Sequence, residues 1–365
     1  MRFLISSLIA FLIASPAAAG WLDGYIDPED GKFDMSDWLL QQHGWLPVPT
    51  FITEPAVGYG LALAGVNFQL PQGPDAGASH TPTIAAIAGV YTESDTWGAA
   101  AAYFGPWKGD RMRYVGAAGY FDANLDFYIR DHPVGYNLSG WGLFQQITFR
   151  ISGSNFFVGP RYVLVSSDVE FDRPGGIPGI DPDLEFANAG LSAVCVFDNQ
   201  NNILSPTQGH RLNLVVTRYD DAFGGDYEYW QADAELDSYR PLHREWFFGF
   251  KLEGSTIDGR APFWSLPFVD LRGVPWLRYQ GESAVSFETE LRWEFVPRWS
   301  VLAFAGVGSS WKGDTILASD ETAVAGGAGF RYLLARKLGL LAGVDIARGP
   351  EEWAFYIQVG QAWGR

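Results

Sequence analysis

The sequence predicts an all-β protein: a closed antiparallel transmembrane β-barrel of 16 strands, with 14 as the alternative. Three observations carry that reading. The first is strict alternation. From Val285 onward one face takes Val285, Phe287, Thr289, Leu291, Trp293 and Phe295, and the other takes Ser286, Glu288, Glu290, Arg292 and Glu294. Successive strand side chains point to opposite faces, so one side is apolar and the other ionic. The second is composition: aromatic residues make up 16% of the chain, with 15 Trp and 43 Gly, while charged residues reach only 18%. Short strands whose outer face meets hydrocarbon and interface have that make-up. The third is that no window after the N-terminus holds about 18 uninterrupted apolar residues, which rules out spanning helices.

Taken in order, the chain begins with Arg2, an apolar run from Phe3 to Ala14, and Ser-Pro-Ala-Ala-Ala-Gly. A charged start, a short apolar core and small residues predict a signal peptide over residues 1–19, cleaved after Ala19. Residues 20–54 read as a polar-aromatic periplasmic lead-in, rich in Asp and Pro and loosely packed, with one helical turn near Ser36–Gln42. The barrel is assigned to residues 55–365. Strand cores are expected at 56–70, 81–93, 96–106, 111–124, 138–151, 156–168, 186–198 and 210–220. They continue at 227–240, 245–257, 283–296, 299–311, 322–334, 337–347 and 352–363. That makes about fifteen, and a closed barrel with both ends on one side needs an even number, so this reading has either missed or invented one strand near the N-terminus.

The connections alternate in character. Ser152–Asn155, Pro241–Arg244 and Pro297–Arg298 suit tight periplasmic turns, whereas 169–185 and 258–282 suit outer loops. Loops of that length are unusual in compact soluble domains. The strands keep two solvents apart. Trp230, Ala232, Ala234 and Leu236 oppose Asp233, Glu235 and Asp237, and Trp246, Phe248, Phe250 and Leu252 oppose Lys251 and Glu253. Trp97, Trp107, Trp141, Trp246, Trp299, Trp311, Trp353 and Trp363 stand at strand ends, as interfacial girdles require.

A net charge of −17 argues against nucleic acid as a partner. Cys195 has no second cysteine to pair with and sits on an alternating strand, where it reads as a buried or lipid-facing thiol. The five histidines, His43, His80, His132, His210 and His243, lie in loops or at strand ends without a catalytic partner at recognisable spacing. No nucleophile elbow, zinc-binding helix or phosphate-binding loop is present. The acidic clusters Asp220, Asp221 and Asp226, and Asp181, Asp183 and Glu185, read as solvated outer loops. No enzyme, metal or cofactor is expected.

Three further features resemble a known family. Leu271-Arg272-Gly273-Val274 is similar to an arginine-glycine loop motif. It is followed by Glu290 on the next strand and by Phe304-Ala305-Gly306-Val307-Gly308 on the strand after that. Asp198-Asn199-Gln200-Asn201-Asn202, ending in Pro206-Thr207-Gln208-Gly209, resembles a Pro-Thr-x-Gly periplasmic turn. The final Tyr356-Ile357-Gln358-Val359-Gly360-Gln361-Ala362-Trp363 resembles the C-terminal signal read by outer-membrane insertion machinery. These residues resemble the bacterial surface-antigen family of the BamA/TamA-type outer-membrane assembly superfamily, here without periplasmic polypeptide-transport-associated (POTRA) domains.

The resemblance implies a 16-stranded barrel in the outer membrane of a Gram-negative cell, with loop 258–282 folded into the lumen. It implies a lock of Arg272 and Gly273 against Glu290, with Phe304 and Gly308 as the seat. Gly306 stands where the family carries a second acid, and Gln200 and Asn201 where it carries charges, so Arg272 is expected to pair with Glu290 or Glu288. A guanidinium in a narrow lumen needs such partners, since an unpaired buried charge is costly. The implied partners are outer-membrane lipid, lipopolysaccharide and the insertion machinery. The implied role is insertion or translocation of protein or lipid. The alternative is a porin-like channel favouring cations through the luminal stripe of Asp233, Glu235, Asp237 and Glu253.

Overall fold

The computed structural model describes residues 25–41, 45–52, 58–69, 81–129, 132–171, 183–311, 321–360 and Trp363; the expected signal peptide lies outside them. The strands are β1 (Leu46–Ile52), β2 (Gly60–Gln69), β3 (Thr83–Thr92), β4 (Trp97–Trp107), β5 (Met112–Ile129), β6 (His132–Arg150), β7 (Phe156–Phe171) and β8 (Asp183–Asp198). They continue with β9 (Gly209–Tyr219), β10 (Tyr229–Pro241), β11 (Trp246–Gly259), β12 (Ser283–Val296), β13 (Trp299–Trp311), β14 (Glu321–Ala335), β15 (Leu340–Arg348) and β16 (Trp353–Val359). All pair antiparallel, each with its sequence neighbour, in one 16-stranded sheet. The sheet curls until β1 and β16 approach one another. No backbone ladder joins that pair among the described residues.

The two faces sort as a membrane barrel demands. On β12, Val285, Phe287, Leu291, Trp293 and Phe295 are exposed, while Ala284, Ser286 and Glu288 are buried. On β10 the contrast runs from Trp230, half exposed, to Asp237, fully buried. The outside carries apolar and aromatic side chains where water-soluble sheets carry charge. Strands β5 and β6 reach 18 and 19 residues. A tilted membrane strand needs about 9–11, so this part of the wall projects well beyond hydrocarbon.

The missing strand is β1, which falls within the segment read as a loose lead-in. Pro47 and Pro49 and a length of seven residues hid its strand pattern. Proline is tolerated only where no ladder donor is needed, at a sheet edge. Nor are residues 25–41 of the lead-in loose. The described residues 25–41 close on themselves through the Ile26–Phe33 bridge and end in helix α1 (Ser36–Gln41). They dock on the turns after β12 and β14, with Asp27, Asp34 and Ser36 all buried.

The far end also departs from expectation. β16 stops at Val359, before Gly360 at φ 90°, a left-handed conformation that favours glycine. Trp363 is therefore not part of the exterior girdle: it is 8% exposed and turned into the lumen, 5.4 Å from the Tyr239 ring. Trp97, Trp107, Trp141, Trp246, Trp299, Trp311 and Trp353 are exposed.

Candidate functional site

The lumen is organised by the chain between β11 and β12, residues 260–282. Its side chains are those of a core segment: Phe263, Leu266, Val269, Leu271, Val274 and Tyr279 are all buried. They have burial available only inside the barrel, because both faces of an outer loop would otherwise meet water. The segment crosses the lumen. At one end Phe263 meets Tyr136 edge-on at 5.3 Å, and Trp264 stacks on Phe186 at 4.0 Å, joining Leu138 and Val169 of the long strands in one cluster. At the other end Val269, Leu271 and Val274 pack with Tyr279, Ala323 and Ala325. Aromatic pairs of this kind add about 0.5–1.5 kcal/mol beyond burial.

Glycines on β13 make the second contact possible. A Cβ at Gly306 would lie 2.7 Å from Leu271 Cδ2, and one at Gly308 2.3 Å from Val269 Cγ1. Both positions are thus kept bare so that the loop can lie against the wall. Gly306 joins the expected Gly308 in forming this seat.

Arg272, only 1% exposed, forms the centre. Its Nε donates to Glu288 Oε1 at 2.8 Å, and its Nη1 donates to Asp345 Oδ2 at 2.9 Å. Nη2 lies 2.7 Å from Glu288 Oε1 and Nη1 lies 3.0 Å from Glu290 Oε2. Those two contacts are ionic without hydrogen-bond alignment, which leaves Nη2 and Oε2 unsatisfied in the directional sense. The backbone N–H of Arg272 donates to Glu288 Oε2 at 3.2 Å, and the guanidinium carbon sits 3.6 Å from the centre of the Phe304 ring. Next to it Gly273, at φ 94°, donates its N–H to Tyr356 Oη at 2.9 Å. A Cβ there would fall 3.0 Å from that of Ala347. The indole N–H of Trp363 donates to Glu288.

Two features differ from the sequence expectation. Glu288, not Glu290, is the acceptor with the most contacts, because it sits nearer the loop backbone on β12. The second acid stands on β15 as Asp345, fully buried, rather than on β13. Asp345 in turn holds Arg331 of β14, at 2.6 and 2.8 Å. The alternation Leu341, Gly343, Asp345, Ala347 already placed Asp345 on the luminal face; nothing nearby in sequence marked it as a partner. Tyr356 and Trp363, expected only as parts of an insertion signal, reach the same site. Above it, Arg278 meets Glu321 at 3.4 Å and Glu351 at 3.3 Å. Lys251 bridges Glu253 at 2.6 Å and Asp270 at 3.3 Å, so Glu253 of the acidic stripe is neutralised by a lysine of its own strand, which the loop's Asp270 shares.

Asp198, Pro206 and Gly209 stand apart, at the end of the barrel that carries both described chain ends. Asp198 accepts from Arg113 at 2.9 Å. Asn201 and Asn202 build the turn in place of charges: Asn201 Oδ1 accepts from the N–H of Thr207 and Gln208, and Asn202 Oδ1 from those of Leu204 and Ser205. Gly209 has φ 105°, and a Cβ there would meet the Asn199 carbonyl at 2.4 Å. The turn then reaches the opposite wall, where Asn202 Nδ2 donates to the Leu338 carbonyl at 2.8 Å and the Leu341 N–H donates to Ser205 Oγ at 3.2 Å. It bridges the mouth. A cavity of about 30 Å³, lined by Pro206, Glu290, Arg331 and Trp363 among others, separates this turn from the arginine lock. That is space for about one water.

Residues 84–271 match the Omp85 superfamily domain, just over half of the chain. Among solved structures, BamA from Haemophilus ducreyi lacking POTRA domains 1–3 is similar at a TM-score of 0.60 and 13% identity, over 87% of this chain and 70% of that one. CdiB from Escherichia coli is similar at 0.59 and 12% identity, over 87% and 62%, and CdiB from Acinetobacter baumannii at 0.56 and 10%, over 87% and 59%. The chain thus spans about three fifths of each CdiB. No protein of curated function matches it in sequence. At these identities the likeness concerns the fold, while the domain match concerns descent. The chain belongs to the Omp85 superfamily, as an outer-membrane β-barrel.

Proposed function

We propose that the protein is a plugged, non-catalytic outer-membrane barrel that helps insert or translocate polypeptide or lipid and does not conduct solutes through its lumen. The observation that carries this reading is the chain laid across the lumen: loop 260–282 crosses it, pinned by Arg272, and turn 199–208 reaches the Leu338 carbonyl at the inner end, beside a cavity of about 260 Å³ lined by Arg113, Gln146 and Arg211 among others. An open diffusion pore needs a continuous wet path. Here a guanidinium with three carboxylates, a cation–π contact and two apolar clusters lie across it. The acidic stripe, which favoured a cation channel on sequence alone, is partly consumed by Lys251.

With the lumen occupied, the work falls to the apolar exterior and to the rim. The partners in this reading are the surrounding lipid and lipopolysaccharide, with the insertion machinery acting on the chain's own C-terminal strand. The test is reconstitution in preformed liposomes, scoring the folding of an added, urea-unfolded small outer-membrane barrel by its heat-modifiable migration. Faster folding than in empty liposomes, and than in liposomes with an unrelated barrel, is the expected result. Equal rates for both this client and labelled phospholipid transfer between leaflets would remove the proposal.

A further inference from the structure

The joint between β1 and β16 is built unlike the other fifteen. The β1–β2 ladder runs unbroken from Leu46↔Val66 to Ile52↔Gly60. Neither Pro47 nor Pro49 has an N–H to give. An unbroken ladder past them therefore requires the donors to be Leu46, Val48 and Thr50, which turn their N–H groups toward β2. Residues of the other parity, Pro47, Pro49 and Phe51, turn their backbone polar groups to the seam. That edge of β1 offers carbonyls but, of these residues, a single N–H, that of Phe51. A neighbouring strand would leave its own carbonyls opposite both prolines without donors, which a hydrocarbon setting penalises most. Consistently, among the described residues β1 and β16 approach without a ladder.

The ladder to β2 fixes one edge of β1 but does not hold it against β16, and the segment before it is fixed to the sheet on the far side of the seam. Arg298, in the tight turn between β12 and β13, is 3% exposed at φ 77°. It donates to Asp34 at 2.7 Å, to the Phe33 carbonyl at 2.9 Å, and to Asp27 and Asp30. Arg336, in the turn after β14, donates from Nε to Asp27 at 2.6 Å and meets Glu29 at 2.8 Å. Backbone groups add to the clasp: Met35 N–H donates to the Leu334 carbonyl at 2.8 Å, Arg336 N–H to Asp34 at 3.0 Å and Lys337 N–H to Ser36 at 3.0 Å. Between Gln41, the last residue of α1, and Leu46, the first of β1, four residues intervene. Gln41 and Leu46 therefore lie at most roughly 18 Å apart. The described segment is thus clasped to the turns of β12–β15 and leads in sequence to β1, which lies beyond β16 in the strand order.

We propose that this N-terminal strap, and not a backbone ladder, is the latch that holds the β1–β16 seam shut. Pro47 and Pro49 strip the seam edge of donors, and the Arg298–Arg336 clasp supplies the restraint that those bonds would have given. The latch restrains the inner end of β1 and leaves the seam without backbone cross-links along its length.

The test is hydrogen–deuterium exchange of the full mature chain in lipid nanodiscs, read by mass spectrometry. Four forms are compared: wild type, Arg298→Gln, Asp27→Asn with Asp34→Asn, and Arg298→Gln with Pro47→Ala and Pro49→Ala. Releasing the clasp from either side is expected to speed exchange in the β1 and β16 peptides at least tenfold while β5–β8 stay unchanged. The added proline substitutions are expected to restore protection, because two new N–H groups complete the ladder. The strap peptide exchanging freely while β1 and β16 keep wild-type protection would overturn the latch. No recovery in the combined variant would overturn the role of the prolines. Should Arg298→Gln lose the β5–β8 protection that reports a folded barrel, the aspartate pair, which keeps side-chain size, decides.

Discussion

Arg272 and Arg298 solve the same problem at different depths. Each sits on an irregular segment, each is almost fully buried, and each is surrounded by three carboxylates: Glu288, Glu290 and Asp345 for the first, Asp27, Asp30 and Asp34 for the second. Around Arg272 the acids come from the wall and the arginine from the loop. Around Arg298 the arginine comes from the wall and the acids from the chain that precedes it. The side chains near Arg272 are shut in by the Phe304 ring and the apolar loop, whereas the Asp30 carboxylate is 30% exposed and Glu29 71%. The lesson is that a barrel ties its non-strand segments down with arginine forks, and that the strength of each tie follows its access to water.

Removing each arginine is the first way to break the comparison. Arg272→Ala leaves Glu288 and Glu290 without their cation in the lumen and Asp345 with Arg331 alone, and breaking a buried pair from one side costs about 3–5 kcal/mol. We expect the largest loss of thermal stability there, read as a lower temperature of heat-modifiable migration. Gly308→Val comes next: overpacking against Val269 costs about 1–3 kcal/mol and lifts the loop from its seat. Arg298→Ala is expected to cost about 1–3 kcal/mol, because its acids reach water once released, and the loss should be confined to the strap. An equal loss for Arg272→Ala and Arg298→Ala would erase the distinction of depth.

Acid sharpens the comparison further. Asp27 is held down to about 2, chiefly by its hydrogen bond from Arg336, with the Glu29 N–H and Arg298 adding to it. Arg298, Arg336, Glu29, Asp30 and Asp34 are the charged groups around it. A depressed carboxylate contributes stability that is full above its unfolded value near 4 and fades as pH falls through its folded value. The strap should therefore stay docked at pH 4 and loosen toward pH 2, which the fluorescence of Trp38 on the strap would report. The smallest effect is expected for Cys195→Ser, within about 0.5 kcal/mol, because the thiol makes no pairing on its half-exposed strand position.

How far the sequence could be read follows from the range of each interaction. Strand alternation is local, so β12 with its aromatic exterior and ionic interior was plain from Val285 to Phe295. β1 was not, since Pro47 and Pro49 break the local pattern and only a neighbouring edge explains them. The arginine loop was visible because Arg272, Glu288 and Glu290 lie within one loop and one strand. Asp345 was hidden, being a lone acid 73 positions away. The clasp was hidden more deeply: Arg298 and Asp27 are 271 positions apart, and each alone reads as a solvated turn residue.

The central claim is a lumen closed by a loop that Arg272 holds. Single-channel recording of the refolded barrel in planar bilayers, wild type beside Arg272→Ala, tests it most directly. The account predicts low, flickering current in the wild type and a large, steady current once the arginine is gone. A large, steady, cation-selective current in both would contradict it and make the barrel an open channel.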